Sequence, residues 1–251
     1  GKYYYEYPAL YFLMLGESIG KMPPSRIENC VFSQSRAGGI EANGASNLTI
    51  VGNTFHKTYR MALWITKESV PESIYVRDNV AIQTLRHPKD STAFVRPFAS
   101  FFLEVPVAEL SGNLAAGSTD TGFTIRPALG ACTKGDAGLA PMMQTNEAVA
   151  CLTGFYLLRA CKGLCNECAY LEGAMAWKNA HAGITTVDQS ANLRLDAILV
   201  ADNHIGITLN FHRVYTDLLQ RSYAYNVTVL GSTTASASCA KSTDCRALGE
   251  E

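Results

Sequence analysis

The sequence predicts an all-β chain: a right-handed, single-stranded parallel β-helix, a solenoid of short stacked strands. Three observations carry this prediction. A six-residue pattern recurs eight times and sets Cys30, Asn53, Asn79, Asn113, Asn146, Asn179, Asn203 and Asn226 at its fourth position. Three residues earlier stand Ile27, Ile50, Val76, Leu110, Met143, Ala176, Val200 and Tyr223, which are mostly apolar. The steps between units are 23, 26, 34, 33, 33, 24 and 23 residues, the size of a stacked repeat. Finally, a glycine followed by an apolar residue recurs downstream, in Gly39-Ile40, Gly122-Phe123, Gly154-Phe155, Gly183-Ile184 and Gly206-Ile207.

Each unit reads as a strand, an asparagine corner, a strand, a glycine corner and a third strand. It is too short for a WD blade and has neither the helical period of TPR or ankyrin units nor the Leu spacing of leucine-rich repeats. Successive strands then stack at ~4.8 Å. Asparagine suits the first corner because it tolerates a left-handed backbone, and its amide both donates and accepts, so a column of them satisfies itself. Cys30 is a small filler in the same slot. The longer steps between 79 and 179 predict loops of about ten extra residues on the rod. The β-helix is expected to span 1–230, and the polar, Cys-containing stretch 231–251 is expected to be a cap or linker.

The chain has 251 residues, 17% of them charged, and a net charge of −1. No Lys/Arg run marks a nucleic-acid partner. The most apolar run, 9–16, is too short to span a bilayer, so no membrane span is expected in this segment. Without a signal-peptide pattern or initiator Met, and with a strand-like start, the sequence reads as a fragment or mature segment of something longer. Its eight cysteines suit an oxidised, secreted setting. Cys132, Cys151, Cys161, Cys165, Cys168, Cys239 and Cys245 are the disulfide candidates, with Cys239 and Cys245 bracketing a small polar loop. Two glycosylation sequons occur, at Asn47 and Asn226. Because Asn226 holds a ladder slot, where burial is expected, Asn47 is the better glycan candidate.

Several motifs bear on chemistry. Cys161, Cys165 and Cys168 have the CxxxCxxC spacing of a radical-SAM iron–sulfur cluster, but no helix–strand alternation surrounds them and Glu167 replaces the usual aromatic residue. Disulfides in an inter-strand loop are the preferred reading. Asp120-Thr121-Gly122 resembles an aspartic-protease triplet, yet that chemistry needs two facing Asp residues, so a turn is expected. His181 and His204 fall at equivalent places on adjacent repeats without a carboxylate set, and packed or solvent-facing imidazoles are favoured over a metal site. His56, His87 and His212 are isolated. The carboxylates Glu28, Glu41, Glu68, Asp78, Glu104, Asp188 and Asp202 are scattered and show no pectinase- or lyase-type cluster. No catalytic residue, cofactor or metal ligand is therefore assigned.

Three stretches resemble fibrocystin (polyductin) and its fibrocystin-like relatives, large proteins with G8 domains and parallel β-helix repeats. The first is Tyr7-Pro8-Ala9-Leu10-Tyr11-Phe12 with Gly16-Glu17-Ser18 and the repeat from Ser25 to Phe55. The second, and the most specific, runs from Gly112 to Phe123, with Cys132 after it. The third joins Thr145–Gly154, Ala176–Ile184 and Leu199–Ile207. The resemblance covers about 7–230 in one order. It implies a non-catalytic, structural or adhesive β-helix at the cell surface, of the kind found on cilia and flagella. Its implied partners are other subunits or further turns of the same protein, with glycans as a further class. Related cell-surface hyaluronidases carry two His residues in the first stretch, where Leu10 and Phe12 stand here, so that activity is not carried over. The alternative reading is a β-helix that binds or cleaves polysaccharide.

Overall fold

A computed structural model describes residues 8–13, 24–69, 73–86, 98–130, 132, 142–160, 165–186, 191–210 and 222–231. Among them the regular elements are all strands, and none forms a helix long and apolar enough to cross a membrane. The strands form three long sheets of the solenoid-like class. An eight-stranded sheet takes, in order, Leu10–Leu13, Ile40–Asn43, Leu63–Ile65, Ala99–Leu103, Thr121–Ile125, Thr153–Leu157, Ala182–Thr186 and Ile205–Thr208. A five-stranded sheet runs through Ser25–Glu28, Leu48–Val51, Ile74–Arg77, Glu109–Ser111 and Met142–Gln144. The ten-stranded sheet begins with Val31–Ser33, Thr54–His56, Val80–Ile82, Leu114–Ala116, Asn146–Val149 and Ala174–Trp177, and continues through Ala191–Ala201, Cys165–Glu172 and Ser222–Leu230. Pairing is parallel throughout, except where Leu129–Gly130 lies antiparallel to Cys165–Glu172.

Two tight corners bound the ten-stranded sheet, and each turns through one left-handed residue per repeat. At the first corner these are Asn29, Gly52, Asp78, Gly112 and Thr145, entered from the five-stranded sheet, and then Gly173, Ala197 and Asn226, entered from long strands of the ten-stranded sheet itself, with φ between 51° and 64°. Where the chain leaves for the eight-stranded sheet they are Gln34, Lys57, Gln83, Gly117, Ala150, Lys178 and Asp202, with φ between 51° and 67°. Few non-glycine residues adopt this region. Its recurrence in register shows that the corners, more than side-chain preference, dictate the backbone there.

Inside, side-chain bulk is traded between facing sheets. Phe32 and Phe55 stack at 5.1 Å in the ten-stranded sheet, and from Ala81 onward that column continues as Ala115, Ala148 and Ala176. On the eight-stranded sheet the matching column grows from Leu63 to Phe101, Phe123 and Phe155, stacked 4.8 Å apart. Close packing requires such compensation.

The expected glycine corner is a correction. Gly122, Gly154, Gly183 and Gly206 lie within strands, not at a turn. A Cβ on Gly154 would stand 2.5 Å from the Gly183 carbonyl oxygen and 3.0 Å from Ala176 Cβ. Gly122 and Gly154 permit close approach of the alanine column, and Gly183 and Gly206 that of Val200 and Val229, which continue it; close approach is the other common reason for glycine in a strand. Asp120 accordingly sits in a bend ahead of Thr121–Ile125, and Gly122 belongs to the strand.

Candidate functional site

The eight repeat positions divide between the two corners. Cys30, Asn53, Asn79, Asn113 and Asn146 form one column just inside the first corner. Each amide bridges two repeats. Asn79 Oδ1 accepts from the Asn53 backbone N–H and from Asn53 Nδ2, both at 3.0 Å. Asn79 Nδ2 donates to Asn113 Oδ1 and the Ile50 carbonyl at 3.0 Å and to the Arg77 carbonyl at 2.8 Å. Asn113 repeats the arrangement with Asn146 Oδ1, and Cys30 N–H donates to Asn53 Oδ1 at 3.0 Å.

Asn179 and Asn203 stand at the second corner. Their column holds Ser35, Thr58, Thr84, Ser118 and Cys151 in earlier repeats. The Cys151 N–H donates to Asn179 Oδ1 at 3.0 Å, and the Asn179 N–H to Asn203 Oδ1 at 2.9 Å. The hydroxyls of that column do not form a ladder: Thr84 Oγ1 accepts from Ser100 Oγ at 2.8 Å, and Thr58 Oγ1 is buried without a partner among the described residues. Meanwhile the first column passes from Asn146 to the apolar Ala174 and Ile198. The amide column thus changes corner between the repeats of Asn146 and Asn179. Asn226 belongs to neither column. It occupies the outward left-handed slot beside Ala197 and is exposed. The burial argument against a glycan there is therefore corrected, because the inward slot is the next residue. Asn47 is half-buried, also left-handed (φ 49°), with its carbonyl accepting from the Ser25 N–H at 2.9 Å.

Cys132 and Cys168 form a disulfide, with Cα atoms 5.0 Å apart. It fastens the segment after Leu129–Gly130 to the strand Cys165–Glu172, and it removes Cys168 from any three-thiolate cluster. Cys151 is a correction to the disulfide candidates, being a buried free thiol that donates to the Val149 and Ala115 carbonyls at 3.4 and 3.7 Å. Burial pushes its pKa up to about 11. Cys30 is free and exposed. The side chains of Cys161, Cys165, Cys239 and Cys245, and residues His87, Asp188 and His212, lie outside the described residues. His181 and His204 are exposed, and the Ile205 N–H donates to the His181 carbonyl at 2.8 Å. Among the described residues no three His, Cys, Asp or Glu side chains group as a metal site.

Register assembles a face that the sequence scatters. On the eight-stranded sheet Tyr11, Glu41, Trp64, Phe102, Thr124 and Tyr156 align across repeats, alternating with the core-facing column. Trp64 Nε1 donates to Glu104 Oε2 at 3.2 Å, and Arg126 Nε donates to the Glu104 carbonyl at 2.7 Å. Asn43 Nδ2 lies 3.4 Å from the Tyr11 hydroxyl. Burial raises the pKa of Glu41. It also raises that of Asp120, against the pull of the Arg86 guanidinium 3.4 Å away. Burial, helped by the Asp120 charge, raises Tyr156 as well.

Separation decides what these carboxyls do. Glu41 and Asp120 stand three repeats apart, about 14 Å at the inter-strand spacing. Glycosidase pairs lie within about 9.5 Å. Glu104 is two repeats from Glu41, about 10 Å, and is itself buried and bonded to Trp64. Within this column Phe102 and Thr124 are buried, while Tyr11, Glu41, Trp64 and Tyr156 keep partial exposure, so aromatic rings stand there beside a single carboxyl group. In comparisons with known proteins, no family model, no curated protein and no solved structure matches the chain, so its functional reading stands on this geometry.

Proposed function

We propose that this chain is a non-catalytic structural and adhesive segment of an extracellular, fibrocystin-like surface protein. Its finer fold would be a right-handed, single-stranded parallel β-helix within a cell-surface, ciliary or flagellar coat. The observation that carries the reading is the pair of corner columns. The asparagine side chains Asn53, Asn79, Asn113, Asn146, Asn179 and Asn203 are spent on joining one repeat to the next. Such a stack is a stiff rod whose stability is a sum of neighbour contacts. It offers long flat faces to other subunits or to further turns of the same protein. A screen of the purified chain against hyaluronan and pectic glycans tests the reading. No turnover is expected, and robust turnover abolished by Glu41→Gln would overturn it.

The Trp64 face supports a second reading, in which the rod binds polysaccharide without cleaving it. Aromatic rings beside single hydrogen-bonding groups are a common way to hold an orienting ligand. Quenching of Trp64 fluorescence in a Trp177→Phe background by a neutral polysaccharide would support it. Unchanged emission at saturating glycan would dismiss it.

A further inference from the structure

A second feature lies away from the Trp64 face, at the outside of the corner that leads into the eight-stranded sheet. There a cleft of about 260 Å³ is lined by Gln34, Arg36, Lys57, Tyr59 and Leu85. Gln34 and Lys57 hold successive left-handed positions, with φ of 57° and 51°, whose side chains leave the stack outward. The walls are fixed by the fold. The Gln34 N–H donates to the His56 carbonyl at 2.8 Å, the Lys57 N–H to Ile82 at 2.9 Å, and the Tyr59 N–H to Ser35 at 2.9 Å. A parallel bridge joins Tyr59 to Leu85.

Among the described residues the charge in this cleft is uncompensated. Arg36 and Lys57 are both exposed, and neither makes an ion pair among the described residues. Elsewhere carboxylates stand beside several cations: Glu28 beside Arg26, Glu109 beside Arg77, Asp120 beside Arg86 and Asp196 beside Arg194. No carboxylate lines the cleft. Two unmatched cations converging on a preformed concavity favour an anion.

We propose that this cleft binds one acidic sugar unit, a hexuronate whose carboxylate is held between Arg36 and Lys57. Its size and lining select that class over a free inorganic anion. The volume lies just under the roughly 300–1,000 Å³ of drug-sized sites, which suits one ring. Tyr59 and Leu85 give an apolar wall for the C–H face of a pyranose, which sulfate or phosphate would leave unused. The Gln34 amide supplies both a donor and an acceptor for ring hydroxyls. This inference is independent of the Trp64 face and of the coat role, since a rod with or without either would present the cleft.

Titration calorimetry of the whole chain at low salt, with methyl glucuronide, methyl glucoside and inorganic sulfate, tests it. The glucuronide is expected to bind, the glucoside not to bind, and sulfate to bind at least about tenfold more weakly. Arg36→Ala and Lys57→Ala should each weaken glucuronide binding about tenfold, the size of one lost charge-assisted hydrogen bond. Tyr59→Leu should weaken the glucuronide while leaving sulfate unchanged. Equal binding of sulfate and glucuronide would overturn the proposal in favour of a plain anion site. Equal binding of the glucoside, absence of glucuronide binding, or indifference to both cation variants would also overturn it. Both cations are exposed, so these variants are expected to fold, and unchanged circular dichroism would verify that.

Discussion

Replacing Asn79 by alanine tests the corner column where it is most completely bonded. The side chain is fully buried and makes five hydrogen bonds across three repeats. Alanine would retain the backbone N–H donation to Asn113 Oδ1 at 3.1 Å, and Asn53 Nδ2 would keep the Ile27 carbonyl at 3.0 Å. The buried Asn53 N–H would lose its acceptor, at a cost of about 1–3 kcal/mol. The carbonyls of Ile50 and Arg77 would each lose a donor worth about 1 kcal/mol. A total of about 3–5 kcal/mol follows, a large share of the roughly 5–15 kcal/mol that holds a typical domain.

Urea unfolding followed by circular dichroism is the assay, with attention to the slope as well as the midpoint. In a stack of neighbour contacts a lost joint near the middle separates the two sides, so the transition should broaden. Asn79→Leu separates volume from bonding: it refills the space but leaves the same orphans, so it should resemble alanine. Asn79→Asp adds a sign test. The carboxylate would face carbonyls and Asn113 Oδ1, raising its folded pKa above the unfolded value. Its folded state would then bind more protons, so stability should fall as pH rises from the unfolded to the folded pKa. Stability of Asn79→Leu within about 0.5 kcal/mol of the parent, smaller than one typical hydrogen bond, would show that packing, not the amide, holds this corner.

Two more perturbations address the core and the second corner. Gly154→Ala places a Cβ 2.5 Å from a backbone oxygen, and overpacking of this kind is expected to cost about 1–3 kcal/mol; an unchanged melting midpoint would refute the close-approach account of the strand glycines. Cys151, its pKa raised by burial from 9.0 to about 11, keeps its proton in the folded state after the unfolded thiol has lost it. Stability should therefore fall between about pH 9 and pH 11 by roughly 2–3 kcal/mol, and Cys151→Ala should flatten that slope. Alkylation at pH 8 should modify Cys30 and spare Cys151 until the chain unfolds.

The all-β class, the parallel stacking and the inward asparagines are legible in the sequence because local backbone geometry writes them there. A left-handed residue followed by a small inward polar group is demanded at each corner, and the six-residue pattern records that demand. Which corner is meant is not recorded. Thr145-Asn146 and Lys178-Asn179 satisfy the same dihedral requirement, yet strand register matches Asn146 with Ala174, 28 residues on, and Asn179 with Cys151. Asn226 satisfied the pattern by residue type while holding the outward slot. Glycine misled in the opposite sense, since its commonest use is a turn and here it makes room for the alanine and valine column of the facing sheet.

The groups that gather on the outside of the core were illegible for a related reason. Glu41, Trp64, Phe102 and Thr124 become neighbours only once the repeats of unequal length are in register, and Gln34, Lys57 and Leu85 likewise meet only across repeats. A periodicity of dihedral demands identifies a stack of parallel strands. What the stack displays depends on lateral alignment, which the loops between strands set and which a local pattern does not contain. The inward columns are therefore the part of such a chain that its sequence announces, and the outward columns are where its specificity has to be sought.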